Sequence, residues 1–192
     1  GPHSEAAHAS TLAFEMSSGP RPVVVSAGPG RWFGERWRRA ARATGCHSTL
    51  VIEDTSSATI WSEGFVGDTF GERLSDAPSV VTCDRASEPG GKTLTARHDG
   101  YVPSFGLTHE RRIGLAAGGG ELLGEDRLFI AERDHRRAYD RAQRQPEEVG
   151  LSFALHFLIH PDVAASLDLG GNAVSLKLGN DEIWVFRQSG GI

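Results

Sequence analysis

Residues 98–115 read HDGYVPSFGLTHERRIGL, and every second residue from Phe105 falls on one face: Phe105, Leu107, His109, Arg111, Ile113 and Leu115. Gly106, Thr108, Glu110, Arg112 and Gly114 take the other. Alternation of that length predicts a half-buried β-strand. His109 and Arg111 interrupt its apolar side, between Leu107 and Ile113. A guanidinium is costly to bury unpaired, so Arg111 requires a carboxylate, backbone carbonyls or an anionic ligand. Two readings stay open. Arg111 makes a structural ion pair inside a sheet, or the strand faces a groove. In the second case His109 and Arg111 contact a bound anion, together with His98 and Tyr101, which precede the Pro103 break.

Working outward, the flexible AAGGGE turn leads into LLGEDRLFI at 122–130. That strand runs back along the first, and its Glu125 and Asp126 are the expected partners of Arg111 across the ladder. Upstream, β-branched and apolar pieces at 93–97, 79–83, 58–61 and 47–53 also read as strands. Residues 151–160, LSFALHFLIH, alternate again and predict an interior strand ended by Pro161, with His156 and His160 on one side. A final hairpin joins 173–178 to 182–186 through GND. At the start, 11–16 alternate through Leu12, Phe14 and Met16, and 23–25 form a short buried strand. The helical candidate is 31–43, with Trp32, Phe33, Trp37, Ala40 and Ala41 near one face. Those tryptophans are expected to seal a core while the arginines stay wet. The alternative is that Arg36 and Arg39 help bind an anionic ligand, with tryptophans stacking on sugars. Residues 133–145 are nearly devoid of apolar side chains and predict an exposed loop or frayed helix. About ten evenly spaced strands and one short helix near 31–43 predict an all-β fold, an antiparallel β-sandwich.

The chain of 192 residues carries a net charge of -5, which gives no reason to expect nucleic acid or an anionic membrane. Only Lys92 and Lys177 are lysines, so eighteen of the 20 basic residues are arginines, the better bidentate partners for carboxylate or sulfate. Cys46 and Cys83 lack metal-type spacing and can make at most one disulfide. No apolar run is long enough to span a bilayer, and no P-loop, dinucleotide signature or repeat occurs. The opening GPHSEAAHAS does not read as a natural N-terminus, so the chain is expected to be a piece of a longer protein.

Taken in order, several stretches resemble the C-terminal sandwich of heparinase II/III-like proteins. They are AAHASTLAFEMSSG at 6–19, ARATGCHSTLVIEDTSS at 41–57, HDGY, GLTHERR, GEDRL, FALHFLIHPDV and GNDEIWVFR. The resemblance runs from about His8 to Phe186 and implies a single supersandwich-like domain over 1–192. It also implies an α/α toroid ahead of the domain in the parent protein, and a periplasmic or extracellular location. Such pairs cleave acidic polysaccharides by β-elimination. A uronate carboxylate is neutralised, a Tyr or His base removes the C5 proton, and the C4 oxygen leaves. The toroid supplies most of that machinery.

One contribution normally comes from the sandwich, in an H-x-H-x-D segment that aligns here with Ala6, Ala7, His8, Ala9 and Ser10. The second His is kept as His8; the first, catalytic in the family, is Ala6. The resemblance also implies a structural metal site, zinc in the better-known relatives, at His8, Ser26 and His47. Two imidazoles and a hydroxyl make a poor zinc site, so no cofactor is expected and a shared His–His hydrogen bond is. Two function classes result. The chain is the sandwich half of a lyase acting on acidic polysaccharide against its own toroid, or a non-catalytic glycan-binding or structural sandwich of a degenerate member.

Overall fold

The computed structural model describes residues 6–61, 73–144 and 150–188. Its largest sheet is an antiparallel meander of β6 (Val81–Glu88), β7 (Gly91–His98), β8 (Thr108–Ala116) and β9 (Leu122–Phe129). The stretch read first lies in the middle of it as β8, with pairing that is unbroken on both sides. Cross-strand rows put Cys83, Ala96, Arg111 and Asp126 on one face, next to Val81, His98, His109 and Leu128. On the other face Arg97 pairs with Glu110, and Arg127 approaches the same carboxylate at 3.7 Å. The expected strand is therefore real and interior, although it starts three residues later than its alternation suggested.

Those three residues belong to a corner. After His98 the chain makes one helical turn, α2 (Val102–Phe105), with Pro103 at its start, where a missing N–H costs nothing. Gly106 ends it in the left-handed region at φ +67, and a Cβ there would lie 2.3 Å from the His135 carbonyl oxygen. Gly106→Ala is expected to cost about 2 kcal/mol or more, through backbone strain plus that contact. An unfolding free energy in urea changed by less than a quarter of that would show that the corner relaxes. Gly106 is crowded by α3 (Arg136–Ala142), preceded by a single turn at Arg133–His135. Tyr139 and Ala142 of α3 pack on a core of Leu50, Ile52, Tyr101, Phe105 and Leu107. The expected solvated run is therefore a helix with one seated face.

Against the meander stand smaller sheets. One contains β1 (Met16–Ser18), β2 (Arg21–Val25) and β11 (Leu158–Ile159); another pairs β3 (Leu50–Ile52) with β10 (Phe153–Leu155). A hairpin pairs β4 (Thr59–Trp61) with β5 (Arg73–Ser75). The last sheet is β12 (Ala164–Asp168), β13 (Ala173–Lys177) and β14 (Ile183–Arg187). Its closing turn runs through Asp181 at φ +64. Val23, Val24, Leu176 and Leu178 form a second core between the β2 and β13 sheets.

Three expectations change. Residues 151–160 are not one interior strand: they pair first with β3 and then with β2, at the edge of both. The switch comes at His156 and Phe157, where Thr49 and Ser48 take the His156 and Leu158 N–H groups instead of a ladder. Phe157 then turns to stack on Phe14 and Phe186, while Phe153 stays 56% exposed. Residues 7–15 are a strap rather than a strand, with Leu12 at φ +59 breaking the alternation. Residues 31–43 are not one helix either. Gly34, at φ +91, separates a turn at Arg31–Phe33 from α1 (Glu35–Ala40). No continuous core face survives that break, and of the expected face only Ala41 is buried.

Candidate functional site

The chemistry-bearing residues gather in two places. The first is a buried chain of polar groups across the meander. Gly100 N–H donates to His98 Nδ1 at 3.0 Å, which leaves the proton of neutral His98 on Nε2. That proton faces His109 Nδ1 at 3.1 Å, and His109 Nε2 in turn meets Asp126 Oδ1 at 2.6 Å. Arg111 closes the chain on both oxygens of Asp126, at 2.8 and 3.0 Å. Its remaining nitrogen donates to the carbonyls of Leu12 and Ser48, at 3.0 and 2.7 Å. Each donor thus has an acceptor, and both tautomers follow from the two ends.

Exposure is 2% for His98, 0% for His109, 2% for Arg111 and 1% for Tyr101. Tyr101 Oη donates to the Leu50 carbonyl at 2.7 Å. A groove of about 690 Å³ does run between the strap and this sheet, lined by Leu12, Phe14, Met16, Leu94 and Ile113, with Arg111 in its wall. Arg111, however, is fully engaged within the protein. Burial and these internal bonds favour the interior ion-pair reading of Arg111 and His109, with His98 and Tyr101 buried beside it.

The electrostatics follow from burial. Desolvation, then the neighbouring His109, push His98 down to about 3. Burial raises Tyr101 above the usual phenol range. Burial would also raise Asp126, but hydrogen bonds from His109 and Arg111, and the Arg111 charge, outweigh it and hold the carboxyl low. HDGY is accordingly a structural corner. Asp99 accepts the N–H groups of Ser79 and Val80, and a side chain at Gly100 would strike the Ser57 carbonyl at 2.5 Å.

The second place is His8 and His47, whose Nδ1 and Nε2 lie 3.1 Å apart with the rings edge to face. They come together as expected, although neither lies in a strand: His8 is on the strap and His47 follows the turn Thr44–Cys46. Desolvation lowers both imidazoles, aided at His8 by the Arg42 charge and at His47 by His8. His47 Nδ1 is buried without a hydrogen-bond partner. Among the described residues, the His, Cys, Asp or Glu side chains that converge in threes are Glu132, Asp134 and His135, far along the chain from this pair. Among the described residues no carboxylate forms a three-donor group with these two imidazoles, although the Glu15 charge reaches His47, and the pair by itself does not make the four-coordinate zinc of the resemblance. Arg42 was missed by sequence reasoning. It is 1% exposed and donates to the Ala7 carbonyl at 2.8 Å, and nothing in WRRAARA marks it off from its wet neighbours.

Outside, the segment from Arg31 to Ala40 presents Trp32, Phe33 and Trp37, exposed by 85, 75 and 62%. Arg31, Arg36 and Arg39 are exposed beside them, and Phe33 and Trp37 touch edge to face at 6.5 Å. Arg36 and Arg39 are thus on the surface as a binding role requires, and the tryptophans expected to seal a core join them.

The comparisons with known proteins fit this arrangement. The sequence model of the heparinase II/III-like C-terminal domain matches residues 1–192. The FtsZ-localized protein C of Caulobacter vibrioides (strain NA1000 / CB15N) is 32% identical over 188 residues, or 97% of this chain and 31% of that protein. The chain thus spans about a third of the length of this relative. No solved structure matches. With a buried corner built from HDGY and GEDRL, and a family match over every residue, the chain belongs to the heparinase II/III-like family as a C-terminal domain.

Proposed function

We propose that this domain is a non-catalytic, acidic-polysaccharide-binding sandwich of a larger heparinase II/III-like protein. The observation that carries the reading is the exposed face of Trp32, Phe33, Trp37, Arg31, Arg36 and Arg39. Flat aromatic rings stack on the C–H faces of sugars, and guanidinium groups pair with carboxylate or sulfate. β-Elimination needs an accessible base, and here His98, His109 and Tyr101 are buried and engaged, while Ala6 stands at the position of the family's histidine. Any lyase chemistry of the parent would therefore come from its other domain, in the periplasm or outside the cell.

Calorimetric titration with heparin and alginate tests this. Binding should weaken as salt rises, and Trp37→Ala or Arg36→Ala should weaken it roughly five- to tenfold. Both positions are exposed, so the variants should fold. Equal affinity in the variants would remove the face from the proposal, and unsaturated uronate released by the chain alone would restore a lyase.

A second reading is favoured by the Caulobacter relative, whose name places that protein with FtsZ. Trp and Arg are also the usual anchors of protein–protein contacts. If this domain docks on an FtsZ-associated assembly, purified FtsZ should pull it down, Trp37→Ala should abolish capture, and heparin should not bind.

A further inference from the structure

Of the three positions to which the resemblance assigns a metal, His8 and His47 are in contact, and the backbone carries Ser26 past them. Ser48 Oγ donates to the Val25 carbonyl at 3.1 Å, and Ala27 N–H reaches the Cys46 carbonyl at 3.3 Å. Residues 25 to 27 therefore lie alongside 48 to 46, which sets Ser26 opposite His47, and His8 closes on His47 from the strap. Where the resemblance has a carboxylate, this chain has the neutral hydroxyl of Ser26. A dication held by two imidazoles and Ser26 would keep its full charge in a partly buried setting. The Arg42 guanidinium, bonded to Ala7 one residue from His8, adds a like charge. The Glu15 charge reaches His47, but Glu15 is exposed and, among the described residues, forms no three-donor group with the pair.

The mechanical task of a metal here would be to tie the strap to the body of the domain. That task is already shared out. Arg42 grips the Ala7 carbonyl at 2.8 Å, Thr44 Oγ1 the Ala9 carbonyl at 2.6 Å and Thr49 Oγ1 the Thr11 carbonyl at 3.2 Å. Arg111 takes Leu12, and Ala9 N–H donates to the Arg42 carbonyl at 2.8 Å. We infer that this domain has dispensed with the family's metal and that His8 and His47, hydrogen-bonded directly, form a metal-free clasp fastening the strap to the Thr44–Thr49 turn. The inference is independent of the glycan reading, because neither histidine belongs to the Arg31–Ala40 face.

The test uses the whole chain. Purified without chelator, it should contain zinc at well below stoichiometry, and EDTA should leave hydrogen exchange at the Ala9 amide unchanged. Stoichiometric zinc, or faster exchange in EDTA, would overturn the inference without any variant. His8→Ala and His47→Ala should each speed Ala9 exchange roughly five- to tenfold, the loss of one hydrogen bond; no acceleration would show that the pair fastens nothing. Partners outside the ligand shell alone are worth roughly ten- to a hundredfold in metal affinity, so Ser26→Asp should raise zinc affinity at least about tenfold. An unchanged affinity would show that Ser26 is not the missing ligand.

Discussion

Asp126→Leu should destabilise the domain by about 3–5 kcal/mol, because it leaves the Arg111 guanidinium buried opposite an apolar group. At this chain length that corresponds to roughly 10 °C in melting temperature. Arg111 reaches both oxygens of Asp126, at 3% and 9% side-chain exposure, so water cannot substitute for the lost carboxylate. His109 Nε2 loses its acceptor in the same step. Adding Arg111→Met should recover part of the loss, since an isosteric apolar pair no longer strands a charge. Recovery stays incomplete because the carbonyls of Leu12 and Ser48 then lack their donor. A double-mutant cycle in urea should therefore show a coupling of about 0.5–3 kcal/mol. Additive losses would mean that the two side chains do not sense each other.

The other large effect is on pH. His98 titrates near 6.5 in an unfolded chain and near 3 in the fold, mainly because burial disfavours its charged form. Between those values the unfolded state binds the extra proton. The stability due to neutral His98 is therefore whole above about pH 6.5 and is lost as pH falls toward 3. One proton makes the slope up to about 1.4 kcal/mol per pH unit. Asp126 responds lower down: its carboxyl is held below the usual range, so its contribution fades only as pH falls through that depressed value. His8 and His47 are lowered too, so their contribution has the same sign as that of His98. Comparing wild type with His98→Gln by denaturation between pH 4 and 7 isolates one group. The variant's slope should be smaller by about one proton, and identical slopes would place the acid sensitivity elsewhere.

What could be read in the chain alone was governed by local rules. Alternation over Thr108–Ala116 marks a half-buried strand wherever the chain goes, and a guanidinium on its apolar side demands a carboxylate. That much pointed to Arg111 and to the returning GEDRL strand. The choice between Glu125 and Asp126 awaited the register: Asp126 is directly opposite Arg111, whereas Glu125 opposes Arg112 on the other face. The family resemblance brought His8 and His47 together, although not by way of adjacent strands.

Exposure is a different kind of property, since it depends on whether another element happens to lie above a side chain. Trp32, Phe33 and Trp37 have the composition of a core helix and lie on the surface, because Gly34 breaks the segment and no described element covers it. Arg42 has the composition of a wet face and is buried, because the strap passes over it and offers the Ala7 carbonyl. Residues 151–160 alternate as one strand yet divide between two sheets, since the side chain and carbonyl of the Ser48–Thr49 link take their N–H groups midway. The sequence by itself determined the central strand and its return, the need for a buried ion pair and the family; tertiary packing decided how the remaining segments divided among sheets, which charges were closed inside and which aromatic residues were left to meet a partner.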